Sequence, residues 1–416
     1  MQYLIGPFQQ VITMAGLSLR GPLSDEQLEI VSLAGIVVEN DTIVEAGNFD
    51  RLMNSYPEAQ LELLKGEYVA FPSMIDVHTH CCWAGSRAGD YAARTGGKSY
   101  LEIAATGGGI MDTVRKTRAA TKEELAELTL ERANTLFARG ITTIEIKSGY
   151  GLSVDEELKL LEAIQKAGLL SPADLIPTCL AAHTIPTGFR GDERAYLHLM
   201  RTELLPEIKK RGLADRVDIF IEKGAFSVKA AREYLLKAKE LGFDVVVHGD
   251  QFSSGTAKLA VELEAVSIDH LEAADEGEIA ILAKGNVIPV ALPGASLGLG
   301  EPFAPARKLL DAGTSLVIAS DWNPGSAPMG NLVAQASILG MAQKLSMAEV
   351  WAALTFRAAA ALGLSDRGRL EPGMKADFII YSTNDYREVL YRQGELIPSY
   401  VFKNNILYNR ALLNKI

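Results

Sequence analysis

Eight short apolar runs, each leading into helical sequence, constrain this chain more than any other feature. They are SMIDVHTH (73–80), ITTIEIKS (141–148), LIPTCLAAH (175–183), RVDIFIE (216–222), FDVVVHGD (243–250), AVSIDHL (265–271), NVIPVALP (286–293) and SLVIASD (315–321). Their continuity and their Val, Ile and Leu content are those of strands buried on both faces. The helices between them carry start and stop signals. Thr121 with Glu124 forms a capping box, with Leu125, Leu128 and Leu136 on one face and Gly140 as the stop. Ser153 with Glu156 repeats the box, and Gly168 closes that helix. Eight strands with helical connections predict an α/β fold, a (β/α)8 TIM-like barrel.

The two ends of the chain read differently. GIVVENDTIVEAG (35–47) is a pair of β-branched runs around Glu39-Asn40-Asp41, a hairpin pattern. After the turn Glu371-Pro372-Gly373-Met374, ADFIIY (376–381) is a short strand, and VFKNNILYNR repeats strand–turn–strand around Asn404-Asn405. The expected organisation is a small β-sandwich domain built from both termini, residues 1–70 plus 371–416, around a barrel of 71–370. A chain of 416 residues holds one barrel of about 250 residues and such a unit.

Charge and cysteine content exclude several function classes. Lys+Arg 41 against Asp+Glu 52 leaves a net charge of −11, and no basic block stands out, so no nucleic-acid partner is expected. Such a field does not steer an anionic substrate inward; a local arginine must hold one. The three cysteines, Cys81, Cys82 and Cys179, form no disulfide framework and fit a reducing compartment. MQYLIGPFQQ lacks the charged start and long apolar core of a signal peptide, and no run of about 18 apolar residues occurs. A cytoplasmic protein with no membrane partner is expected.

Five of the six histidines, His78, His80, His183, His248 and His270, end a strand run; only His198 lies in a helical stretch. Strand C-termini form the face on which barrel active sites are built. His78 and His80, two apart on a strand, point to one side and can reach one ion. His248 ends the fifth run and Asp321 the eighth. Taken singly, His248 reads equally as a satisfied strand-end histidine and Asp321 as a helix cap. Together the four make an N3O set suited to Zn or Fe and poorly suited to Ca or Mg.

With these residues the sequence resembles the amidohydrolase superfamily, through FPSMIDVHTH, the fifth-strand histidine, the eighth-strand aspartate and RGRLEPGMKADFIIY (367–381). More narrowly it resembles the imidazolonepropionase family of histidine degradation. The carrying segments are HTHCCWAGSRAGDY (78–91), ATGGGIMDTVRKTR (105–118), IEIKSGYGL (144–152), AAHTIP (181–186), HGDQF (248–252) and SDWNPGS (320–326). The resemblance implies hydrolysis of a cyclic amide, 4-imidazolone-5-propanoate plus water giving N-formimidoyl-L-glutamate. It also implies a small anionic heterocyclic substrate, one divalent ion and a homodimer.

It further implies roles. Arg87 grips the substrate carboxylate, although by itself it reads as a surface arginine. Tyr150 and, less directly, Tyr100 match substrate-binding tyrosines; a packed aromatic is the other reading of Tyr150. His183 contacts the ring or its oxygen. His270 is expected to move protons with Asp321, which also completes the metal set of His78, His80 and His248. Asn323, Gly325 and Ser326 hold substrate through side chains and backbone. Gln251 stands where deaminase relatives carry a proton-moving Glu, and Gln cannot titrate, so it is expected to bind rather than transfer protons. Binuclear relatives use a modified Lys ending the fourth strand; here Glu222 ends it, which favours a single ion. Gly107-Gly108-Gly109 lacks a phosphate-binding pattern and is expected to let a loop approach the pocket closely. The competing readings are another mononuclear amidohydrolase, such as a heterocyclic amine or amidine deaminase, and a non-catalytic barrel scaffold.

Overall fold

In the computed structural model, which describes residues 2–98, 102–103, 106–189, 191–413 and 415, the eight central runs lie side by side in chain order. The barrel strands are Met74–Asp76, Ile141–Lys147, Asp174–Ala182, Arg216–Ile221, Asp244–Gly249, Ser267–His270, Ile288–Ala291 and Val317–Ile318. Every neighbouring pair is parallel. The first and eighth meet beyond their ends: Asp321 N–H donates to the His78 carbonyl and His80 N–H to the Trp322 carbonyl, both at 3.0 Å. Those bonds close the mouth of the barrel.

The first and eighth strands are shorter than their sequence runs. Past Asp76 the chain leaves the ladder, and the Asp76 carboxylate accepts from Ser320 N–H at 3.1 Å in place of a backbone partner. The box at Thr121 and Glu124 forms in both directions. The one expected at Ser153 and Glu156 does not: Ser153 caps nothing with its side chain, and Glu156 pairs with Lys159 at 2.6 Å. Glu157 turns inward instead and accepts from the amides of Gly149, Gly151 and Leu152 at 3.0, 2.8 and 2.7 Å. Fixing this buried loop takes three otherwise orphaned donors, which outweighs one exposed cap bond.

Strands from both termini form a second sheet. Gln2–Ile12 pairs along its length with Ile30–Glu39, while its other edge splits between Gln60–Leu63 and Val69–Pro72. Phe378–Tyr381, Tyr400–Lys403 and Ile406–Asn409 extend the latter half. The two halves enclose Ile5, Ile36, Ile43, Phe378, Ile380 and Phe402. Both expected hairpin turns have left-handed central residues, Asn40 and Asp41 at φ 50° and 63°, Asn404 and Asn405 at 52° and 58°. Asn and Asp tolerate that geometry, and it matches strand twist.

The sheet is fastened to the end of the barrel opposite its mouth. Lys403 Nζ lies 2.8 Å from Asp377 and 2.9 Å from Asp174, the first residue of the third strand; Arg367 reaches Asp174 and Thr143. Lys403 and Asp377 are almost wholly buried. Lys403→Met therefore strands a carboxylate, and a loss of about 3 kcal/mol is expected. Urea unfolding followed by far-UV circular dichroism checks it; an unchanged midpoint rules the pair out as a fastening. No helix among the described residues is long and apolar enough to cross a membrane. Cys81, Cys82 and Cys179 are buried free thiols.

Candidate metal centre

Three barrel strands, the first, fifth and eighth, deliver four buried polar side chains to one point at the mouth. Ligand atoms of His78, His80 and His248 lie within 4.8 Å of one another. Asp321 Oδ1 joins them, 3.2 Å from His80 Nε2 and 3.6 Å from His78 Nε2. Behind the ligands, His78 Nδ1 donates to Asp269 Oδ2 at 2.6 Å. His248 Nδ1 lies 2.8 Å from Asp218 Oδ2, angled off the hydrogen-bond line. Each carboxylate turns its ring so that Nε2 faces the centre, and both Nε2 atoms are buried without a partner. Unpaired buried polar atoms are costly, and convergent imidazole lone pairs with a carboxylate are what a divalent ion of borderline softness takes.

Electrostatics prepares the same donors. Burial drives His78 far below the usual imidazole pKa, with Lys147 adding to the effect. Burial takes His248 down to about 4 despite Asp218. Both are neutral ligands at neutral pH. Burial opposes charge on Asp321, but its contact with His80 and the nearby His270 and His248 outweigh it and hold the carboxyl below its ordinary value.

Other expected residues lie beside this point or on the loops past the strand ends. His270 lies beside it, with ring centroids 5.9 Å from His78 and 5.4 Å from His248, and its Nδ1 faces Glu272 at 3.4 Å. Burial disfavours the His270 cation, yet Glu272 and Asp321 overcome this and raise its pKa. His270 and Asp321 both take positive φ, 90° and 50°. Such strain in non-glycine residues collects where a side chain must be aimed.

His183 stacks on His80 at 5.2 Å and donates Nδ1–H to the Gly149 carbonyl at 3.1 Å. A carbonyl only accepts, and burial keeps this imidazole neutral, so His183 offers Nε2 as an acceptor. That suits a ring N–H better than a developing oxyanion. Tyr150 is buried beside both, at 5.9 Å from His80 and 5.5 Å from His183. Tyr100 lies outside the described residues.

Arg87 is placed against the loop after the eighth strand. A Cβ at Gly325 would run into Arg87 Nη1, so any other residue there would push the guanidinium aside. The Arg87 Nε donates to Asp90 at 2.8 Å, and Asp90 also accepts from Gly109 N–H at 2.9 Å. A Cβ at Gly108 would meet Asp90 Oδ1 at 2.6 Å. The glycine run thus seats its loop on the carboxylate that aims Arg87. Asn323 braces its own loop: Oδ1 accepts from Gly325 and Ser326 N–H at 2.7 and 2.9 Å, and Nδ2 donates to the Asp321 carbonyl at 2.7 Å. Gln251 is half-buried on a turn pinned by Glu222, whose carboxylate accepts from the Phe252 and Ser253 amides at 2.9 and 3.0 Å.

Asp218, Asp269, Glu272 and Asp90 were not anticipated. Asp218 and Asp269 carry a usable sign in the sequence, a lone carboxylate inside a strand that is buried on both faces. Such a residue is seldom buried unless paired.

A model of the amidohydrolase family matches residues 74–390. An imidazolonepropionase from Symbiobacterium thermophilum is 39% identical over 96% of this chain and 95% of its own. One from Bacillus velezensis is 40% identical over 95% of this chain and 94% of its own. Among solved structures, an adenosine deaminase from Xanthomonas campestris with bound zinc superposes with a TM-score of 0.68 at 17% identity, covering 99% of this chain and 96% of that one. At that identity the likeness concerns the fold.

Proposed function

The chain belongs to the amidohydrolase family and, within it, to the imidazolonepropionases, and from that premise we propose how its barrel mouth performs the reaction. It hydrolyses the cyclic amide C–N bond of 4-imidazolone-5-propanoate to give N-formimidoyl-L-glutamate in histidine degradation, with a divalent metal activating the water.

The reading of the site rests on one observation: the convergence of the His78 and His248 Nε2 lone pairs with His80 and Asp321 at the strand ends. These four hold one ion, Zn or Fe. Bound there, the ion supplies an acidified water and a Lewis acid for the ring carbonyl. Asp321 takes the water proton, and His270, braced by Glu272, passes it toward the leaving nitrogen. His183 accepts a ring N–H beside Tyr150, and Tyr150 and Tyr100 are assigned to substrate binding. Arg87 grips the propionate carboxylate through a bidentate pair. Asn323 shapes the loop that presents Gly325 and Ser326 to the substrate. The barrel of residues 71–370 does this work, and the terminal domain of 1–70 plus 371–416 supports it. The protein acts as a cytoplasmic homodimer with no nucleic-acid or membrane partner.

Turnover of freshly made imidazolone propionate, with metal analysis of the same sample, tests the reading. One equivalent of Zn or Fe, with activity lost to a chelator, is expected. Two equivalents with activity tracking the second overturn the single-ion site. Gln251→Ala is expected to raise KM by roughly three- to tenfold, the worth of one hydrogen bond, with little change in kcat. A loss confined to kcat would give Gln251 a part in the chemistry instead.

A further inference from the structure

Beneath the ligands sits a charged group that the proposed chemistry does not use. Lys147 ends the second strand, and its side chain is fully buried. Its ammonium lies 2.7 Å from Glu145 Oε1, 2.9 Å from Asp218 Oδ2 and 3.8 Å from Asp269 Oδ2. The two aspartate oxygens it approaches are those that face His248 Nδ1 and His78 Nδ1. One ammonium thus stands behind two of the three histidine ligands.

Asp218, His248 and Asp269 form a second cluster with the spacing of a metal site. Lys147 Nζ sits on two of its three donors, so the cation this cluster holds is the lysine itself. The strands explain the placement. Side chains alternate, so Glu145 and Lys147 share one face of their strand. Asp218 and Asp269 enter from the fourth and sixth strands, flanking the fifth, which carries His248. Isolated carboxylates at this depth would be driven to neutralise or to swing toward other donors. An ammonium between them gives both oxygens one point to face.

We infer that Lys147 is a positioning residue of the metal centre, a built-in cation that locks Asp218 and Asp269 and through them aims His248 and His78. This rests on the metal-centre reading above. The outer partners of metal-bound histidines are worth roughly 10- to 100-fold in metal affinity. Lys147→Met, close in volume and uncharged, is expected to weaken zinc binding by about that factor in a chelator competition. The visible absorption of the cobalt-loaded variant is expected to differ from that of the parent, because ring orientation changes.

Removing the ammonium also leaves buried carboxylates uncompensated, which works against folding of the single variant. The pair Glu145→Gln with Lys147→Met removes both charges and keeps the shapes, and the same two measurements are made on it. The melting temperature of each metal-free variant separates a general loss of stability from a loss of aim. Zinc affinity within about twofold of the parent in a folded variant, with an unaltered cobalt spectrum, overturns the inference, since roughly tenfold or more is expected. His248→Ala distinguishes the two levels. If it keeps full zinc affinity, the metal-centre reading fails; if it loses zinc while the Lys147 variants do not, only the role of Lys147 fails.

Discussion

Asp321→Asn is expected to leave a folded protein that turns over roughly 10³-fold more slowly or worse, which lies within the 10²–10⁴ typical of a lost proton-transfer group. The substitution isolates chemistry from structure. Asn is nearly isosteric and tolerates the left-handed backbone that Asp321 adopts at φ 50°. The bonds that place the residue run through its main chain: its N–H donates to the His78 carbonyl, and its own carbonyl accepts from Asn323 Nδ2. Neither depends on the carboxylate. What Asn removes is the anion facing His80 and His78 at 3.2 and 3.6 Å, and with it both a ligand charge and the proton acceptor. Metal content measured beside kcat divides the effect. A variant that retains its metal and loses less than tenfold in kcat would remove Asp321 from proton transfer, given the 10²-fold lower bound for such groups. It would leave His270 as the sole carrier.

The barrel and its mouth were legible because both are written locally. Strand runs buried on two faces are continuous in sequence, and a histidine closing such a run falls on the face where strands end. His78 and His80 needed only the two-residue period of a strand. The turns at Asn40-Asp41 and Asn404-Asn405 were equally local, each a pair of residues suited to left-handed backbone. What stayed hidden depends on contacts between distant strands. Nothing near Asp269 in sequence says that it faces His78, 191 residues away, and nothing near Asp218 points to His248. The helix does start after Ser153, but the capping box expected there misled for a related reason. The neighbours of Ser153 match such a box, but Glu157 answers the buried amides of a loop whose course is set by the barrel. Burial of that loop, which the sequence does not state, decides which of two adjacent glutamates is used and for what. The short eighth strand has the same origin, since its expected hydrogen bonds are replaced by the Asp76 carboxylate and the close of the barrel.

Arg87→Met is expected to lower kcat/KM for imidazolone propionate by roughly 10²–10³-fold, because truncating one member of a buried charge pair costs about 2–5 kcal/mol and each 1.4 is a factor of ten. The guanidinium is prepared for this contact. One edge is held by Asp90 through Nε at 2.8 Å, and Nη1 lies against Gly325, where a Cβ would displace it. Asp90 is in turn fixed by Gly109 N–H at 2.9 Å, so the fork loses little freedom when a carboxylate arrives. The protein's net charge of −11 makes the local cation matter more, since the overall field does not draw an anion in. The discriminating measurement compares the acid with its primary amide, which keeps the shape and loses the charge. The parent should prefer the acid strongly, whereas Arg87→Met should treat the two nearly alike. An equal loss on both substrates would instead mean that Arg87 acts by propping the Gly325 loop, and the carboxylate would have to be held elsewhere. Asp90→Asn supplies the intermediate case: it keeps the guanidinium but loosens its aim, so its preference for the acid should fall between those of the parent and Arg87→Met.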